Sequence, residues 1–185
     1  MAQRRLRVAL DANVLVAGMR WPRWPYEVMQ AALAGYFDLV LPEQVIAEAR
    51  RHAESPAQAD ALEFFLTSSD YRELPMPPLD AVSRDVDLVR SEKDVPIALA
   101  LLHGELDIFV TSDRDFTDPD ATAQRFRDRV RVMLPAVFLR DVLGWEAQAL
   151  ETIRNRTWVD LPDPETPGRE VAGNCEPSPG AEPPA

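Results

Sequence analysis

The segment Arg7–Val16, RVALDANVLV, decides how the rest of the chain reads. Val8, Leu10, Val14, Leu15 and Val16 make a short apolar run, the pattern of a strand buried on both faces of a parallel sheet. One carboxylate, Asp11, interrupts it. An ionised carboxylate buried without a partner costs several kcal/mol. Asp11 therefore faces a site at the open end of the strand, is held by a cation, or caps the following turn together with Asn13.

Working outward, Gly18–Pro25 (GMRWPRWP) reads as a loop, and Pro25 opens a helix through Ala34 that Gly35 closes. Asp38–Leu41 reads as a second strand and Pro42 starts a further helix. There Val45, Ile46 and Ala49 form the buried stripe, with Glu48 on its flank and His52 one turn on. Glu48 is either an ordinary boundary residue or a site acid, and His52 is left outside the site. A helix over Gln58–Thr67, a short strand at Tyr71–Leu74 and a rigid connector at 75–78 follow. Asp80–Arg90 carries Val82, Val86 and Val89 at helical spacing.

In SEKDVPIALALLHG, Asp94 occupies an N-cap position, Pro96 lies in the first turn and Gly104 closes the helix. Capping alone accounts for Asp94. Asp107–Thr111 is the next buried strand and runs into SDRDF, so Asp113 and Asp115 follow its carboxyl end, where open α/β sheets place their sites. Pro119–Asp128 reads as a loop or loose helix, Val130–Leu134 as a last strand, Pro135–Leu143 as a helix ended by Gly144, and Trp145–Arg156 as a further amphipathic helix. Alternating strands and helices predict a single three-layer α/β domain over 1–158, with a central parallel sheet flanked by helices. From Asp160 onward the chain holds six acids, one base and 7 of the 17 prolines, so 159–185 is expected to be a disordered tail.

Composition sets further bounds. The 185 residues suffice for one full core, and the single cysteine, Cys175, excludes an intrachain disulfide framework or a cysteine zinc cluster. No apolar run of membrane-spanning length and no basic-then-apolar leader is present, which predicts a soluble, cytoplasmic protein without membrane contact. The net charge of −11 is partly a property of the tail, and it neither excludes a nucleic-acid partner nor supplies a basic footprint for one.

Right-handed crossovers can bring Asp11, Glu48, Asp94 and Asp113 to one edge of such a sheet. Carboxylates within about 4–6 Å repel and raise one another's pKa unless a cation is bound, so convergence predicts a metal. Oxygen-only ligands suit Mg²⁺ or Mn²⁺.

The stretches VALDANVLVAG, VIAEARR, KDVPIALALL, VTSDRDF and LPAVFLRDVLG, in this order and spacing, resemble PIN-domain proteins over residues 6–143. The likeness is greatest to the toxins of prokaryotic toxin–antitoxin systems. The resemblance implies a PIN-like fold and a Mg²⁺- or Mn²⁺-dependent endoribonuclease. Its catalytic and metal-binding acids would be Asp11, Glu48, Asp94 and Asp113, with Asp115, Asn13, Thr111 and Ser112 as accessory residues. It also implies an RNA substrate, a small antitoxin partner and a homodimer. Ala12 departs from the Thr or Ser that many relatives carry there, and the polar region 116–129 is longer than in relatives.

Arg20 and Arg23 can contact RNA phosphate, and Trp21 or Trp24 can either stack on a base or pack against the next helix. A catalytically inactive PIN-like module that binds RNA or protein is the competing expectation. A receiver-like phosphorelay site fits poorly, since Ala12 follows Asp11 and Lys93 is the sole lysine. A haloacid-dehalogenase site would need Asp-x-Asp where Asp11-Ala12-Asn13 stands.

Overall fold

The computed structural model describes residues 4–118 and 123–161. The expected tail therefore lies outside the described residues from 162 onward, as does part of the polar region 116–129.

In chain order the elements are β1 (Arg7–Leu10), α1 (Ala12–Arg20), α2 (Trp24–Leu33), β2 (Asp38–Pro42), α3 (Glu43–Arg51), α4 (Pro56–Ser68), β3 (Tyr71–Leu74) and α5 (Leu79–Arg84). They continue with α6 (Val95–His103), β4 (Ile108–Val110), α7 (Arg114–Thr117), α8 (Gln124–Arg127), β5 (Arg131–Met133), α9 (Pro135–Asp141) and α10 (Ala147–Ile153). A 3-10 turn at Trp158–Asp160 follows, so regular structure runs two residues past the boundary expected at 158.

The five strands form one parallel sheet in the order β3-β2-β1-β4-β5. This is an α/β fold, as the alternation of elements predicts. β1 lies at the centre, and Val8, Ala9 and Leu10 are fully buried. The chain winds outward to β3, then crosses back to β4. Right-handed connections put α1–α4 on one face and α5–α8 on the other. α6 is apolar on nearly every side, with Val95 and Ile97–Leu101 all buried, as a helix sandwiched under a sheet must be.

Two expectations need correction. The apolar run 8–16 is not one strand: β1 stops at Leu10, and Val14–Val16 belong to α1, which also replaces the first half of the loop expected at 18–25. The physical reason is the Asp11 side chain, which accepts the Ala12 N–H and caps a helix whose buried residues Val14, Leu15, Gly18 and Met19 fall on one face. A Cβ on Gly18 would collide with Met29, so the glycine permits the close crossing of α1 and α2. Second, α5 ends at Arg84, short of Arg90. Asp85 leaves the helical conformation at φ −115°, ψ 31° and its N–H turns back to Ala81 O and Val82 O at 3.3 Å, closing the helix; beyond it Leu88 and Val89 are buried and Val86 faces solvent. Beyond β4, Asp113 caps the short α7, which Phe116 anchors.

Phe116 sits edge-on to Phe109 of β4 and Phe126 of α8, with ring centroids 5.1 and 5.4 Å away. On the other face Phe37 and Phe138 make a similar contact at 5.4 Å, joining the entry of β2 to α9. The C-terminal segment closes over α1 and α2. Trp24 Nε1 donates to Leu150 O at 2.9 Å, Trp158 Nε1 donates to Arg20 O at 2.9 Å, and Arg156 pairs with Glu27 and Pro22 O. Of the two readings of Trp24, the structure gives packing. Among the described residues no helix is long and apolar enough to cross a membrane.

Candidate metal centre

The strand order reverses between β1 and β4, and the crevice beyond the carboxyl ends of such a pair is where open α/β sheets bind ligands. Leu10 is in register with Val110, so the next residues, Asp11 and Thr111, emerge side by side at that rim. The ladder carries on past the strands: Asp11 N donates to Val110 O and Thr111 N to Met133 O, both at 3.0 Å.

Asp11 is 7% exposed and Thr111 fully buried. The Thr111 hydroxyl donates to Asp11 Oδ2 at 2.5 Å, and Ala12 N donates to Oδ1 at 2.7 Å. Thr111 Oγ1 in turn accepts from Asp113 N at 2.9 Å and from Asn13 Nδ2 at 3.4 Å. Asn13 Oδ1 accepts the Ser112 N–H at 3.4 Å, so Ser112 contributes its backbone here.

Burial pushes the Asp11 carboxyl up from 3.8 to about 6, with the negative charges of Asp113 and Glu48 adding to the rise. The bonds from Thr111 and Ala12 oppose it and lose. Capping and a site role are thus not alternatives for Asp11, because the same carboxylate caps α1 and feels two other acids.

Asp94 differs. It stands at the N-cap of α6 yet makes no side-chain capping bond to that helix. Burial raises the pKa of its half-buried carboxylate, the nearby Ser91 side chain opposes the rise, and the charges of Asp113, Asp115 and Glu48 add to it. Asp94, Asp113 and Asp115 offer carboxylate oxygens that all lie within 4.8 Å of one another. Glu48, half-buried on α3, acts electrostatically on both Asp11 and Asp94. Asp113 caps α7 by accepting the Asp115 N–H at 2.8 Å.

Asp11 and Asp94 thus each feel the charges of Asp113 and Glu48, and the tightest group is Asp94, Asp113 and Asp115. This group could hold a metal ion. An octahedral Mg²⁺ at about 2.1 Å from each oxygen places neighbouring ligands about 3 Å and opposite ligands about 4.2 Å apart, inside the spread of these atoms. Oxygen-only donors and raised carboxyl pKa values favour a hard cation, whereas the positive N-terminal ends of α1 and α6 at the same rim favour an anion beside it.

Arg20 and Arg23 lie elsewhere. Arg20 ends α1, about 13 Å of helix rise from Asp11, and pairs with Glu54 and with His52 O at 3.5 Å. Arg23 donates to Arg156 O at 3.2 Å and lies over the Trp21 ring. Sequence reasoning missed Arg90, whose Nε donates to Asp115 Oδ1 at 2.7 Å, and Ser91. The available signal was the apolar pair Leu88-Val89, which pins the connector just before them. A cleft of about 430 Å³ lined by Arg7, Asp38, Asp70, Tyr71 and Arg72 begins at the opposite, amino-terminal ends of β1–β3 and does not include these acids.

No protein-family model matches the chain, and no curated protein matches it. Among solved structures it is similar to a protein of Pyrobaculum aerophilum, with 18% sequence identity and a TM-score of 0.49, over 76% of this chain and 97% of that one.

Proposed function

We propose that this chain is a divalent-cation-dependent endoribonuclease of the PIN-domain kind. The observation that carries the reading is Asp11: a nearly buried carboxylate, fixed by Thr111 and Ala12, whose charge is opposed by Asp113 and Glu48 at the rim where Asp94 and Asp115 also converge. Such repulsion is a cost unless a cation offsets it.

Asp94 and Asp113 would hold the ion, with Asp11 and Glu48 completing its surroundings. When bound, Mg²⁺ or Mn²⁺ polarises a scissile phosphate and lowers the pKa of an attacking water. Thr111 orients Asp11 by binding Oδ2 while Ala12 N holds Oδ1, and each carboxylate oxygen keeps a further lone pair for the cluster. The Thr111 hydroxyl is committed to this bond and is not the nucleophile, which this reading assigns to water. The Ser91 side chain near Asp94 favours the charged form of that carboxylate. The resemblance in sequence adds the rest of the proposal: a cytoplasmic toxin with RNA as substrate, a small antitoxin as partner and a homodimer as the assembled form.

The test compares purified wild type with Asp11→Asn and Asp94→Asn on single-stranded and structured RNA, with Mg²⁺ or Mn²⁺ and with EDTA. Cleavage by wild type that disappears in EDTA and falls at least 100-fold in both variants, about 3 kcal/mol of barrier, supports the proposal. Equal signals from all three proteins reject it and leave a binding module.

A further inference from the structure

We infer that Arg90 is the residue that receives the RNA phosphate at this rim, with Asp115 serving as its anchor rather than as a cation ligand. The inference rests on the nuclease reading for its substrate but on separate geometry for its residues.

An acidic crevice repels a polyanion, so a nucleic-acid backbone needs a cation placed beside the acids. Arg20 and Arg23 do not supply it: they are bound to Glu54, His52 O and Arg156 O, away from the cluster. Arg90 is paired directly to a member of the cluster. Its Nε donates to Asp115 Oδ1 at 2.7 Å, its Nη2 pairs with the same oxygen, and Asp118 stands 3.9 Å from Nη1.

The connector bearing Arg90 is held in place from behind. Leu88 and Val89 are 2% and 1% exposed, and Arg125 of α8 pairs with Asp85 at 3.2 Å and Asp87 at 3.5 Å. The Arg90 side chain itself is 48% exposed. An ion pair that open contributes little to stability, so fold maintenance is a weak account of it. Asp115 takes the Nε–Nη2 edge and fixes the guanidinium plane, which is the preorganisation a phosphate contact requires. The same bond draws one Asp115 oxygen toward a positive charge, leaving Asp94 and Asp113 as the better donors to a cation.

Binding of a fluorescently labelled single-stranded RNA is measured by anisotropy in the Asp11→Asn background, across a KCl series with Mg²⁺ present. Arg90→Gln is expected to bind about tenfold more weakly and to lower the log–log salt slope by about 0.7, the signature of one lost single-strand phosphate contact. Arg90→Lys is expected to keep the slope while losing part of the affinity. Asp115→Asn, in otherwise wild-type protein, is expected to keep a melting-temperature response to Mg²⁺ within twofold of wild type in midpoint concentration.

Unchanged affinity and slope in both Arg90 variants overturn the inference, and so does loss of the Mg²⁺ response in Asp115→Asn. The two readings separate cleanly. Wild type that never cuts RNA, with weaker RNA binding in Arg90→Gln, sinks the nuclease and keeps the phosphate contact. Metal-dependent cutting with Arg90 irrelevant to binding does the reverse.

Discussion

The Thr111 hydroxyl donates to Asp11 Oδ2 at 2.5 Å, joining two residues 100 positions apart across the central pair of strands. This bond favours the charged form of a carboxylate that burial disfavours. Thr111→Val keeps the shape and removes the donor. The Asp11 pKa is then expected to rise above its value of about 6, and the cation-free protein to lose about 1–3 kcal/mol at neutral pH. Carboxyl NMR titration and urea unfolding at pH 7.5 check the two effects independently.

A carboxyl with a folded-state pKa of about 6 against an ordinary 3.8 binds its proton more tightly folded than unfolded. Stability from this group is therefore full below about pH 4, falls as pH rises toward 6, and is flat above, a loss of about 3 kcal/mol at 1.4 kcal/mol per unit. Asp94, also raised, acts with the same sign. In EDTA, wild type minus Asp11→Asn should show stability declining between pH 4 and 6. Mg²⁺ or Mn²⁺ should raise the melting temperature more at pH 7.5 than at pH 5. A difference curve flat in pH would contradict the burial argument.

Asp94→Asn removes one of the mutually repelling charges without changing the outline of the side chain. The cation-free protein is expected to melt about 2–4 °C higher, and the rise on adding Mg²⁺ or Mn²⁺ to shrink to less than half of the wild-type value. Differential scanning fluorimetry with and without EDTA reads both. An unchanged cation response would remove Asp94 from the ligand set.

Phe116 follows Asp115 directly and is 2% exposed between Phe109 and Phe126. Phe116→Ala is expected to cost about 3–5 kcal/mol, because the ring's contacts vanish and the surroundings relax only in part. The loss should reach the site too, since α7 carries Asp113 at its N-cap. A weaker cation response in the folded variant, measured well below its melting point, is the expected sign.

Much of this was legible along the chain. Strand ends and helix starts locate Asp11, Asp94 and Asp113, because in a parallel sheet both kinds of boundary fall on the same edge. Glu48 followed from its place beside the stripe of Val45, Ile46 and Ala49. The errors have one source, which is that a β-branched run fits two periods. Val14–Val16 read as strand until the Asp11 side chain is seen capping α1, and a cap is a local contact that outweighs a weak propensity. Val82, Val86 and Val89 read as one helix because their spacing fits the helical period, yet the backbone leaves the helix at Asp85, a stop that no glycine or proline between 80 and 90 announces. Arg90 was out of reach for another reason. Its meaning depends on Asp115, 25 residues later, and no local pattern encodes an ion pair between a connector and a distant turn.

The register between β1 and β4 also sets a schedule. Asp11 is made 100 residues before the hydroxyl that fixes it, which arrives only with the end of β4, and Asp113 follows immediately afterwards. A chain interrupted between Glu48 and that strand holds Asp11 and Glu48 but cannot assemble the rim. Whatever this centre does, it is withheld until β4 has been made and has paired with β1.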